Sequence, residues 1–178
     1  MDAAVIVLHE DEKLRLVASG GVLLAHVRLR FTHEESVAIH GAQEYLRSTV
    51  GRHGIIVVVS DVRAELSERA RKFSRRTSAE FADWVVCVAH VIEPRGFVGA
   101  AVRCVMAGMR AINKPPYPMR EFASTRGAAL WTTPLLVEAG IELPFSPEPD
   151  AMLEWVEHAR APDLFDTGRT SAGSVGEP

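Results

Sequence analysis

Between Ala4 and Leu29 the apolar positions come in three short runs, AVIVL, LRLVA and VLLAHVRL, broken by HEDEK and SGG. Runs of that length between turn-forming residues predict three strands in a small antiparallel entry. Thr32 then opens THEESVAIHGAQEYLRSTVG, where Ala38, Ala42, Tyr45, Leu46 and Thr49 recur at helical spacing. Thr32 and Glu35 stand three apart, as a capping box requires, and Gly51 or Gly54 closes the helix.

The pattern then changes. GIIVVVS, residues 54–60, is apolar without alternation, which predicts a strand covered on both faces, as in a parallel sheet. A helix over Leu66–Thr77 follows, with Ser67 as its cap; Leu66, Ala70, Phe73 and Thr77 share one face, and Arg69, Arg71, Lys72, Arg75 and Arg76 crowd the others. DWVVCVAHVI repeats the buried-strand pattern, and Pro94 heads the next helix, PRGFVGAAVRCVMAGMRAI. A short strand is expected around Met119–Ala123, near an edge because Pro118 has no amide to donate, and Ser124 caps TRGAALWTT.

Beyond that point the pattern loosens. The expected organisation is one α/β domain over 1–133, a proline-punctuated connector and the amphipathic helix DAMLEWVEHAR over 134–161, and a disordered tail over 162–178, too poor in apolar residues to offset its ordering entropy.

The closing run YPMREFASTRGAALW adds a likeness to these patterns. Tyr117-Pro118, Phe122 and Ala128-Ala129-Leu130-Trp131 resemble the last unit of the STAS-like superfamily of bacterial anti-anti-sigma factors, within the STAS/SEC14-like group; DVRAELSERARKF resembles its second strand-helix corner. The resemblance runs from about Ala4 to Thr133. It implies a β-α superhelical domain of roughly four strands in a mixed sheet, with helices packed over it. It also implies a regulatory corner between IIVVVS and the helix starting near Ser67, where such factors carry an Asp and a Ser phosphorylated by a partner kinase. Asp61 and Ser67 are the matching positions.

Composition narrows the function classes. With 20 basic and 23 acidic residues, a formal charge of −3 and 47% hydrophobic residues in 178, the chain can build one sizeable core, and no global field draws it to nucleic acid. The N-terminal apolar run of about six residues is neither a signal peptide nor a membrane span, which points to a cytoplasmic protein. Cys87 and Cys104 lie in apolar stretches and read as small packed hydrophobes.

Ser67 at a helix start is either a cap or a phosphoacceptor, since a phosphate there would meet free amides and Arg63, Arg69 and Arg71. A receiver-type acceptor at Asp61 would need an acidic pair after the first strand, and only Glu10 and Asp11 stand in that turn. Five basic residues between Arg69 and Arg76 make a solvated helix face or a local anion-binding one. The histidines at 9, 26, 33, 40, 53, 90 and 158 show no His-x-x-x-His or His/Cys pairing, so neither metal binding nor another cofactor is expected.

In the helix Gly96–Ile112, Phe97, Ala101, Cys104, Val105, Gly108 and Ile112 are expected against the sheet, leaving Val98, Val102, Met106 and Met109 as a possible interface. The C-terminal segment 135–159, a second copy or an apolar ligand would cover them. The reading is a non-enzymatic regulatory module that binds a protein partner, either a kinase or a second copy. Its alternatives are a carrier or sensor of a small apolar or lipid-like ligand, and a structural homodimer.

Overall fold

The computed structural model describes residues 5–28, 32–60, 68–94 and 96–161. Six strands form one mixed sheet: β1 (Ile6–Glu10), β2 (Leu14–Ser19), β3 (Val22–Val27), β4 (His53–Val59), β5 (Val85–Ile92) and β6 (Met119–Phe122), side by side in chain order. The first three are antiparallel neighbours, and from β3 to β6 every pairing is parallel. This is the expected α/β class with its antiparallel entry, but the sheet has six strands rather than about four.

Three helices make the parallel crossovers: α1 (His33–Thr49), α2 (Glu68–Glu80) and α3 (Gly96–Asn113). The strand order advances in one direction, so right-handed crossovers bring all three to one face of the sheet. The other face takes α4 (Thr125–Glu138) and α5 (Pro149–Arg160). Because both faces are covered, β2 and β3 are buried at every position, which explains why their sequences do not alternate. On the first face Leu14, Leu16, Leu23, Ile55 and Val88 pack with Leu46 of α1 and with Phe81. On the second, Val17, Leu24, Ile56, Val58 and Val91 pack with Leu136 of α4 and Met152, Trp155 and Val156 of α5.

Local signals set the helix ends. Thr32 and Glu35 form the expected capping box, and Gly51, at φ 80°, closes α1 by donating its amide to the Leu46 carbonyl at 2.9 Å. Ser124 caps α4 by accepting from the Gly127 amide at 3.3 Å. The residues that carry the resemblance lie in this region: Ala128 and Ala129 are buried, and the Phe122 and Trp131 rings are 5.6 Å apart.

Four further expectations change. The connector does not begin at residue 134: α4 runs through Pro134 to Glu138. A helix can carry an interior proline when the carbonyl it releases, here that of Leu130, stands on an exposed surface, and both residues are exposed. Pro94 lies ahead of α3, which starts at Gly96, rather than in its first turn. Cys104 is exposed, whereas Cys87 is buried and its thiol is pushed up to about 12 by desolvation.

The fourth change concerns the orientation of α3. Phe97, Cys104 and Gly108, expected against the sheet, are exposed, with Phe97 at 88%. The two arginines turn inward instead. Arg103 donates to the Ile92 carbonyl at 3.3 Å; Arg110 donates to the Met119 carbonyl and pairs at 2.9 Å with Glu121, whose side chain is nearly buried. Edge carbonyls and a buried carboxylate need donors, and long arginine stems bury well, so polar satisfaction overrides the apolar stripe. The segment 135–159 does not cover α3, since α5 packs on α4 and β3, across the sheet. The tail 162–178 lies outside the described residues.

Candidate functional site

The carboxyl ends of β3, β4 and β5 form one rim, and the ladder carries on past the strands to align it. The Ser60 amide donates to the Val27 carbonyl at 3.0 Å and the Glu93 amide to the Val59 carbonyl at 3.1 Å. These bonds set His26, Ser60 and Glu93 beside one another although 34 and 33 residues separate them in sequence. His26 Nε2 lies 2.9 Å from Ser60 Oγ, which donates to Glu93 Oε2 at 2.7 Å. Arg160, at the end of α5, places Nη2 2.7 and 2.8 Å from the two Glu93 oxygens.

A second knot continues the rim across β1 and β2. Arg15, almost fully buried, donates through Nε to the Ala159 carbonyl at 2.8 Å and pairs with Glu10. Arg28 reaches the other Glu10 oxygen at 2.8 Å and the Asp11 carbonyl at 3.1 Å. Burial, then Arg160 and Arg28, bring the His26 imidazole down to about 4, with Glu93 and Glu10 pulling only partly the other way. At neutral pH it is uncharged.

Proton bookkeeping decides what this cluster can do. Ser60 has one hydroxyl proton, and it points at Glu93; His26 must therefore be the Nε2–H tautomer, donating to Ser60. The remaining lone pair, on Nδ1, is buried and finds no partner among the described residues. A histidine in that tautomer cannot accept the serine proton, so the pair does not have the nucleophile-base arrangement. The network instead clamps the exit of β4 to β5 and α5.

That exit leads directly to the corner singled out in the sequence. Asp61, Arg63 and Ser67 lie outside the described residues; Arg69, in the first turn of α2, is exposed. On α3, Val102 and Met106 are half-buried, while the side chains of Val98 and Met109 lie outside the described set. His26, Glu93 and Arg160 had no short-range signal, apart from Ser60 and Glu93 being the first polar residues after two buried strands. A second grouping did have one: His40 and Glu44 are four apart on α1, and with Glu80 of α2 they bring three metal-ligating atoms within 4.8 Å of one another.

No protein-family model and no curated protein matches the chain. Among solved structures it is similar to an uncharacterized protein from the DUF3478 family with a SpoIIAA-like fold, from Shewanella loihica PV-4. The two are 14% identical, over 72% of this chain and 91% of that one, with a TM-score of 0.44.

Proposed function

We propose that the chain is a non-enzymatic regulatory module that binds another protein through the corner after β4, in the manner of the anti-anti-sigma factors its sequence resembles. The observation that carries this reading is the Ser60–Glu93–Arg160 clamp, which ties the residue immediately before Asp61 to β5 and α5. A fixed platform lowers the ordering cost of presenting the residues that follow it to a partner. Asp61, Arg63, Ser67 and Arg69 are the contact residues of this proposal, with Ser67 as the group a partner kinase would modify.

Affinity capture from the source cell, using the intact chain and Arg69→Glu, tests the surface; an acidic residue at this exposed site should lose the captured protein while far-UV circular dichroism stays unchanged. Equal recovery by both would remove the corner from the reading. Ser67→Asp should alter capture and Ser67→Ala should not if phosphate is the signal.

A second reading has an observation of its own: the outward stripe of α3, with Phe97, Ala100, Cys104 and Gly108 exposed, is apolar and would suit a second copy. Light scattering on the wild type and on Phe97→Lys separates a dimer that dissociates from a chain that was monomeric throughout.

A further inference from the structure

We propose that His40, Glu44 and Glu80 bind a first-row divalent metal ion, of the zinc, nickel or cobalt type, on the seam between α1 and α2. His40 and Glu44 stand one turn apart on α1 and so share a face. Glu80 closes the set from the last residue of α2, its Oε2 3.3 Å from His40 Nε2. One ligating atom from each residue lies within 4.8 Å of the other two. A four-coordinate ion with bonds of about 2.0–2.2 Å wants its ligands about 3.3 Å apart. The remaining closure falls on two carboxylate side chains that are each about a third exposed and so have room to turn once their present partners, Arg47 and His40, give way.

The imidazole is the fixed member of the set. Its ring meets Phe81 edge-on at 5.4 Å and leans on Phe73 at 5.7 Å, both outside α1. That wedge aims Nε2 at Glu80. One nitrogen and two carboxylate oxygens match borderline divalent ions; calcium and magnesium prefer all-oxygen shells, and copper(I) prefers sulfur. Three protein ligands leave a position for water.

Arg47 is the built-in competitor. Its Nη2 holds Glu44 Oε2 at 2.6 Å while its guanidinium lies 5.6 Å from the centre of the Phe81 ring. A metal ion at Glu44 would share that carboxylate with the arginine, whose positive charge opposes its own, so affinity depends on a residue that ligates nothing. The ion would join α1 to α2, the helix that follows the corner after β4.

The alternative is a plain His40–Glu80 ion pair that holds no metal, and the two differ in measurable ways. Zinc is titrated calorimetrically into the full chain at pH 7, and cobalt(II) is followed by its visible absorption. One equivalent of zinc should bind, His40→Ala and Glu80→Gln should each weaken it at least tenfold, and Arg47→Gln should tighten it several-fold. His158→Ala, on α5 across the sheet, should change nothing. Glu80→Gln is isosteric and changes only a partly exposed carboxylate, so it carries the test if His40→Ala does not fold. No heat with the wild type up to millimolar zinc, or binding that survives both ligand substitutions, overturns the site. Binding that Arg47→Gln weakens overturns the competitor.

Discussion

Arg160, the last residue of α5, holds both carboxylate oxygens of Glu93, 2.7 and 2.8 Å away, at the exit of β5. The pair joins the C-terminal helix to the rim that carries Ser60, so the residues after α4 belong to the same folded unit as the sheet. Arg160→Ala should cost about 0.5–1.5 kcal/mol in urea unfolding, because the Glu93 side chain that it leaves is about a third exposed and keeps its bond from Ser60. A double-mutant cycle with Glu93→Gln should recover most of that cost as coupling. A coupling near zero would make the contact an ordinary surface pair.

Gly54 of β4 faces Leu136 of α4 at close range. A β-carbon there would lie 2.6 Å from a methyl of Leu136, which is fully buried and cannot swing away. Gly54→Ala should therefore destabilise by about 1–3 kcal/mol through overpacking, despite the better strand propensity of alanine. Adding Leu136→Val to Gly54→Ala should recover part of the loss.

His26 predicts an acid-side loss of stability. Its folded value of about 4 lies below the ordinary 6.5, so the fold favours the neutral ring and the unfolded chain binds the proton. Its contribution is complete above about pH 6.5 and is lost as the pH falls through 4, at a slope of up to ~1.4 kcal/mol per pH unit. His90, brought to about 4 by burial and then by Arg110, acts in the same direction. Urea midpoints at pH 7, 5.5 and 4.5 should fall accordingly, and His26→Gln should flatten the decline. A ring resonance of His26 that titrates near 6.5 would refute the assignment.

The capping box at α1 should show its own cost. Burial pushes the Glu35 carboxyl up, but bonds from the Thr32 hydroxyl and amide and from its own amide, with Lys13 nearby, outweigh that and leave it below the ordinary range. Thr32→Ala should cost about 0.5–2 kcal/mol at pH 7. Because Glu35 is stabilised in its charged form, the difference between mutant and wild type should shrink as the pH falls below the usual carboxylate range. A cost that does not change with pH would mean that the hydroxyl acts only on the backbone.

Local pattern alone determined much of the architecture: three strands before the first helix, the capping box of Thr32 and Glu35, two unbroken apolar strands for a covered parallel sheet, and the cap at Ser124, while between Gly51 and Gly54 as the end of the first helix the structure decided for Gly51. Each is set by residues within a few positions of one another, through hydrogen-bond geometry or side-chain period, so each is legible in a short window. The orientation of α3 was not. Its apolar stripe argued for Phe97 and Cys104 inward, and the carbonyls of Ile92 and Met119 with the Glu121 carboxylate drew Arg103 and Arg110 inward instead. Nor could a short window reveal the rim, because His26, Ser60, Glu93 and Arg160 meet only through strand register and the docking of α5. An unpaired buried polar group costs about 1–3 kcal/mol, enough to compete with the burial of a large apolar side chain, and which groups are left unpaired is decided by neighbours distant in sequence.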